Sequence, residues 1–417
     1  MKKGMIADLH IHSRFSRACS KDLNIPNLVK WARIKGLDLL GTGDFTHPIW
    51  LQELKNNLKE KNNLYYYDGF PFIITGEVSL IYTQERGRKV HLLLLVPNFE
   101  IADKINSYLD TKGRRDYDGR PIFNISCRDF TKEMMKISKD IEIIPAHIWT
   151  PYFGVLGSIS GFNSLKEAFH DQVENIHAIE TGISSDPKMN VRVKELSKKA
   201  IVSFSDAHSF WPYRLGREAT IFKKTDSYLG IINQIRNNSF IGTIETDPAY
   251  GKYHYDGHRL CNFSSSPQET KKLNKICPVC KNPLTLGVSY RVEDLADPGN
   301  SELKTKKYYT LLPLHELLSL MLRTGMHSKK VWQVYNELIQ KFKNEFEILI
   351  FASKEDMVEK RLDKNLIEII IKNREGNIKV KPGFDGVYGK AIFDFENLEP
   401  LDKDSENKSK TFQKTLF

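Results

Sequence analysis

The chain contains no apolar run approaching the ~20 residues that a membrane-spanning helix requires, so a bilayer-embedded protein is not expected. Its opening stretch, Met1 to His12, sets charge and two histidines where a secretory leader needs apolar residues. Cysteine is scarce and odd in number, five in 417 residues. That argues against the paired framework of a secreted domain and leaves metal binding or inert thiols. These absences point to a cytoplasmic protein. No internal repeat is visible.

What the chain does have is positive charge and a change of texture along its length. The formal net charge is +10 and the pI about 9.1, with the excess mostly in residues 1–230. Such a surface attracts polyanions, although a lysine-rich coding bias produces the same balance. Residues 1–230 alternate helical patterns with strand-like apolar runs: Met5–His10, Leu37–Thr42, Phe72–Thr75, Val90–Val96, Ile141–Pro145, Ile176–Glu180 and Ala200–Ser205. The alternation predicts an α/β domain with a mostly parallel sheet or barrel, in which chemistry gathers at the C-terminal ends of strands. From about residue 247 to 300 the pattern turns to Gly, Tyr, His, Cys and Pro with little periodicity, so residues 231–300 are expected to form a small module held by something other than an apolar core. Residues 301–396 become helical, with Val331, Val334, Tyr335, Leu338, Phe342 and Phe346 at helical spacing and Leu362, Leu366, Ile369 and Ile370 likewise. Within them Lys381–Gly389 is turn-rich and closes the fold. Residues 397–417 read as a disordered tail.

Chemistry-bearing residues fall at or just after the strand-like runs. His10-x-His12 places two imidazoles on one face of an extended segment. Asp44, Glu77, His91 and His147 follow, and Asp206-x-His208 repeats the two-residue spacing. Any one of these is as readily a satisfied core histidine or a capping carboxylate; the set is not. Mixed imidazole and carboxylate ligands suit Zn, Mn, Mg or Fe. Such ions activate water and neutralise a phosphoryl group, so no Walker-type glycine loop is required. Arg14, Arg17, Arg214 and Arg217 flank these motifs and can clamp phosphate oxygens, the alternative being ordinary surface arginines. His258-x2-Cys261 and Cys277-x2-Cys280 have the two-knuckle spacing of a structural zinc site, with His254 as a rival to His258. Lys252, Tyr253, Tyr255 and Arg259 near the knuckle, and Arg114 and Arg115 in the loop Lys112–Arg120, interleave positive charge with Tyr as nucleic-acid contacts do. Trp149, Tyr152, Phe153, Phe210 and Trp211 follow ligand motifs and can line a base pocket.

The order HxH, Thr42-Gly43-Asp44, Gly76-Glu77, three further histidine motifs and Asp-x-His resembles the polymerase and histidinol phosphatase (PHP) family over residues 1–230. The resemblance implies a distorted (βα)7 barrel holding two or three divalent ions. It implies that His10, His12, Glu77 and Asp206 hold one ion, and that Glu77 bridges to a second completed by His91 and His147. A third would be served by Asp44 and His208. It implies further that Asp206, Glu77 and His208 carry the catalytic roles. Phe45 departs from the pattern, which commonly has His there, and His47 is the nearest substitute. Over residues 5–392 the arrangement is similar to the endonuclease Q family. The likeness is carried by Asp44-Phe45-Thr46-His47-Pro48, Glu180-Thr181-Gly182, Gly251-Lys252-Tyr253-His254-Tyr255-Asp256-Gly257, Cys277-Pro278-Val279-Cys280 and Lys381-Pro382-Gly383-Phe384-Asp385-Gly386-Val387-Tyr388-Gly389.

That likeness implies a DNA-repair endonuclease cutting 5′ to deoxyuridine, deoxyinosine or an abasic site, leaving 3′-hydroxyl and 5′-phosphate ends, in association with the nucleoid. The DNA contacts expected are Arg14, Arg17, Arg114, Arg115, Arg217, Lys252, Tyr152 and Trp211. Gln413–Phe417 resembles a shortened sliding-clamp-binding peptide. Two rival readings are a small-molecule phosphomonoesterase of the PHP type and a non-catalytic DNA-binding protein.

Overall fold

The computed structural model describes residues 4–299 and 304–392. The tail expected at 397–417, with Gln413–Phe417, lies outside them. Among the described residues there are seventeen strands. In chain order they are Met5–Asp8 (β1), Leu39–Gly41 (β2), Lys59–Lys61 (β3), Leu64–Tyr67 (β4), Phe70–Gln84 (β5), Arg86–Val96 (β6), Ile122–Phe123 (β7), Glu142–Pro145 (β8), Ala178–Glu180 (β9), Ala200–Val202 (β10) and Ala219–Phe222 (β11). Beyond these come Gly242–Glu245 (β12), Asp256–His258 (β13), Phe263–Ser265 (β14), Lys307–Thr310 (β15), Lys379–Lys381 (β16) and Lys390–Ile392 (β17).

The sheet is mixed rather than mostly parallel. β1, β2 and β5 run parallel, but β5 and β6 pair antiparallel along their whole length. Only Glu85, with positive φ, separates them, and a connection that short cannot make a parallel crossover. Backbone pairing also stops short of the closed barrel expected: it makes one eleven-stranded sheet and a separate parallel pair, β9–β10. Single contacts join the two, Ile148 N to Glu180 O at 3.1 Å on one side and His12 N to Ala207 O at 3.0 Å on the other. Both sheets nevertheless share a core, where Ala7, Ile73, Leu93, Ile144, Ala178 and Val202 pack with Tyr228, Ile231 and Ile235 from the helix Tyr228–Arg236. Among the described residues no helix is long and apolar enough to cross a membrane.

The helical C-terminal region comprises Leu314–Leu322, Lys329–Phe342, Lys354–Glu359 and Lys364–Arg374. Its apolar faces join the core of the α/β part rather than forming a separate one. β15 belongs to the large sheet, parallel to β12, so the chain beyond residue 300 returns to the sheet before becoming helical. A buried ion pair fixes the junction. Lys35 Nζ lies 2.7 Å from Glu345 Oε1 and donates to Pro212 O. Glu345 also accepts from Leu314 N and Tyr335 Oη. Every polar atom of the pair is used, which is what makes burial of the charges tolerable. Lys35→Met leaves Glu345 uncompensated and is expected to cost about 3–5 kcal/mol, read as a lowered denaturation midpoint; an unchanged midpoint contradicts this role.

Candidate metal centre

The ligand-type residues converge from seven strands. His10 and His12 follow β1, Asp44 follows β2, Glu77 lies in β5, His91 in β6, His147 follows β8, Glu180 ends β9 and Asp206 follows β10. Asp44, His147 and Asp206 hold positive φ (48°, 32° and 49°), a conformation costing a non-glycine residue about 1–3 kcal/mol. The surrounding packing enforces these turns and aims the side chains inward.

Two groups of ligand atoms result, each with all members within 4.8 Å of one another: His10, His12, Glu77 and Asp206, and Glu77, His91 and His147. Glu77 belongs to both. Its Oε1 lies 2.8 Å from His91 Nδ1 and 3.2 Å from His147 Nε2. Its Oε2 lies 3.5 Å from His12 Nε2 and 3.7 Å from His10 Nε2. Asp206 Oδ1 completes the first group, 2.8 Å from His12 Nε2 and 3.6 Å from His10 Nε2.

The far side of each imidazole is held. His10 Nδ1 lies 2.9 and 3.0 Å from the two oxygens of Glu180. His12 Nδ1 lies 2.9 Å from Asp44 Oδ1, and His147 Nδ1 2.9 Å from Thr150 Oγ1. Partners of this kind orient metal-ligating histidines. His10 Nε2 is buried and has no hydrogen-bond partner, as expected of a nitrogen reserved for a cation. The residues therefore fit divalent ions. Charge agrees: burial disfavours a proton on His10, yet Glu180, Glu77 and Asp206 raise its pKa well above the ordinary value. Burial acts to raise the Glu77 pKa, but His91, Arg120 and His10 hold it well below the usual carboxylate range. His91 is pushed down to about 4, chiefly by burial.

Asp44 and His208, expected to serve a third ion, belong to neither group. Asp44 Oδ2 accepts from Ser13 N, Ser13 Oγ and Ser16 Oγ at 2.6–2.8 Å. Gly119 packs so closely on this carboxylate that a Cβ there would lie 2.2 Å from Oδ2. The His208 ring lies 4.5 Å from that of His12, and its Nδ1 is 2.8 Å from Asp206 O. His47 stacks on Phe15, and Phe45 is buried against Gly76.

The expected DNA contacts divide. Arg17 and Arg114 are exposed, paired with Asp118 and Asp116. Lys252 lies over Tyr388, and Tyr152 is exposed. Arg14 is engaged by both oxygens of Glu53, and Arg115 by Asp110 and Thr46 O. Arg217 is buried and bonded to Thr246 and Glu316. Trp211 packs among Trp31, Phe210 and Trp332, and Trp149 is buried with its indole N–H on Asn190. Two residues not assigned roles from the sequence reach the centre. One is Glu180, whose place at the end of a strand-like run was the same signal used for the others. The other is Arg120, whose Nη1 lies 3.1 Å from Glu77 Oε2.

A third group brings together His258, Cys261, Cys277 and Cys280, again within 4.8 Å. His258 Nδ1 lies 3.1 Å from Cys261 Sγ and 3.3 Å from Cys280 Sγ. His254 is directed elsewhere, towards Ser289 Oγ. Three thiols and an imidazole with no open position suit structural zinc.

Fold and centre define a mixed α/β protein that carries imidazole–carboxylate clusters able to hold metal ions and a separate Cys/His group. Two solved structures share this fold over nearly the whole chain. The lesion-specific endonuclease PfuEndoQ from Pyrococcus furiosus superposes with a TM-score of 0.85 at 30% identity, covering 97% of this chain and 98% of that one. An endonuclease Q complex with a 27-mer duplex bearing an abasic lesion gives 0.85 and 30%, covering 96% and 99%. This chain belongs to the endonuclease Q family. A family model described as the MJ0043 C-terminal domain matches residues 313–377. The uncharacterised protein MJ0043 of Methanocaldococcus jannaschii is 31% identical over 294 residues, and the match spans 69% of this chain but 36% of that protein.

Because Glu180 holds His10 Nδ1 with both oxygens, Glu180→Gln is expected to weaken ion binding on the order of 10–100-fold while leaving the melting temperature of the metal-free protein near that of wild type. Calorimetric titration with Mn²⁺ measures it, and unchanged affinity removes Glu180 from this role.

Proposed function

We propose that the protein is a metal-dependent DNA-repair endonuclease, a phosphodiesterase that cuts 5′ to deoxyuridine, deoxyinosine or an abasic site and leaves 3′-hydroxyl and 5′-phosphate ends. The observation that carries this reading is the shared position of Glu77, one oxygen facing each ligand group. It is supported by similarity to PfuEndoQ, described as lesion-specific, and to an endonuclease Q bound to abasic-site DNA.

In this reading His10, His12, Glu77 and Asp206 hold one ion, and Glu77, His91 and His147 a second. Divalent cations there supply a water acidic enough to attack at neutral pH and charge to offset the phosphodiester. The remaining work falls to the chain. Glu180 and Asp44 fix the imidazoles of His10 and His12, and Thr150 that of His147. Arg120, held against Glu77, offers its guanidinium to a non-bridging oxygen. His208, beside Asp206 and His12, is placed for a third ion with Asp44 or for proton transfer. The knuckle of His258, Cys261, Cys277 and Cys280 holds one zinc that folds its segment. Arg17, Arg114, Lys252 and Tyr152 meet the duplex. Function in the cytoplasm at the nucleoid, and clamp binding through Gln413–Phe417, complete the proposal.

Labelled duplexes carrying one deoxyuridine, deoxyinosine or abasic site, incubated with Mn²⁺ or Mg²⁺, test it. Nicking immediately 5′ to the lesion, lost in Asp206→Asn with DNA binding kept, is the expected result. Hydrolysis of phosphomonoesters alone, or binding without turnover, overturns it.

A further inference from the structure

The Gly-rich stretch Lys381–Gly389 has no part in the metal centre, yet it is built to hold one shape. Phe384 and Val387 exchange backbone hydrogen bonds across Asp385 and Gly386. Both of these have positive φ (40° and 88°), the tight-turn conformation that an Asp-Gly pair favours. The loop is fastened to the segment before the knuckle by four backbone bonds: Gly383 N to Ala249 O, Tyr255 N to Gly383 O, Gly386 N to Lys252 O and Gly389 N to Tyr250 O. Arg259 N donates to Asp385 Oδ2 at 2.7 Å. A Cβ on Gly389 would lie 2.1 Å from Ala249 O, so the seat has no slack.

What this fixture presents is apolar. Phe384 anchors the turn inside, while Val387 is 40% and Tyr388 52% exposed. Lys252 Nζ lies 4.7 Å from the Tyr388 ring. Next along the chain, Tyr253 meets Tyr152 edge to face at 6.3 Å. Tyr152 is followed by Phe153, whose ring lies 4.3 Å from that of His91, a member of the second ligand group. Between the metal centre and the turn thus lie two ring contacts, Phe153 with His91 and Tyr152 with Tyr253, and the Tyr253 hydroxyl would lie 3.7 Å from a Cβ on Gly386 of the turn. An exposed aromatic held rigid, next to positive charge and continuous with a site for phosphodiesters, has the chemistry of a side chain inserted between base pairs.

We propose that Tyr388, backed by Val387, is a wedge that enters the base stack of duplex DNA beside the nucleotide being cut, and that Tyr253 and Tyr152 carry the stacked surface on to the metal centre. Lys252 and Arg259 lie on its flanks, where they meet the backbone of the opened step. This inference rests on the endonuclease reading above. The wedge is needed only where paired bases must be parted, and that separates it from general DNA binding or from a structural role.

The test compares wild type with Tyr388→Ala and Tyr388→Trp on one lesion in two settings: a fully paired duplex, and the same strand with the lesion in an unpaired bulge. In Tyr388→Ala the ratio of kcat/KM on duplex to that on bulge is expected to fall on the order of tenfold to a hundredfold, and Tyr388→Trp to restore it. 2-Aminopurine beside the lesion should brighten on binding wild type and much less on binding Tyr388→Ala. Zinc content and melting temperature establish that the variant is folded. An equal loss on both substrates, or no loss on either, overturns the wedge. If wild type cuts neither substrate, the endonuclease reading falls and the wedge with it.

Discussion

A buried carboxylate shared by two sets of imidazoles is the constraint around which this molecule is organised. Glu77 is 1% exposed, and an uncompensated charge at such depth costs several kcal/mol or more. It is retained because positive or polarisable partners surround it: His91 and His147 on one oxygen, His10 and His12 with Arg120 on the other. The long pairing of β5 with β6 sets Glu77 and His91 side by side. The loop carrying Arg120 is pressed so firmly onto Asp44 that only a glycine fits at position 119. The field that draws a proton towards His10 is the field that draws a cation, so electrostatics and ligand geometry argue for the same occupant.

The rest of the fold keeps this arrangement rigid. Orienting groups are themselves held: Glu180 takes His147 N as well as His10, and Asp44 takes three donors from the turn after His12. The C-terminal helices contribute no ligand. They cover the segment following Asp206, where Glu316 receives Arg217 and Trp332 receives Trp211, and Lys35 with Glu345 locks them to the helix Ile25–Lys35. The segment that carries the Cys/His group adds Val288 and Val292 to the shared apolar core.

Much of this was legible in the sequence where the signal is local. His10-x-His12 lies at the end of an apolar run, and both rings do reach one cluster. Asp206-x-His208 has the same spacing, but β10 ends at Val202 and Asp206 has positive φ. Strand alternation no longer applies there, so Asp206 enters the cluster while His208 turns towards His12. Tertiary packing defeated the rest. Arg217 and Trp211 flank ligand motifs and read as surface contacts, yet they are covered by helices that begin about a hundred residues later. The basic loop at 112–120 was visible, but which arginine turns inward depends on Gly119 meeting Asp44. The antiparallel β5–β6 pairing followed from a one-residue turn that apolar periodicity does not encode.

Crystals of the full chain grown with Mn²⁺ and measured at the manganese absorption edge put the central claim to its most direct test. Two anomalous peaks about 3.5–4 Å apart, one against each oxygen of Glu77, are predicted. A single peak, or none within coordinating distance of Glu77, would contradict the account.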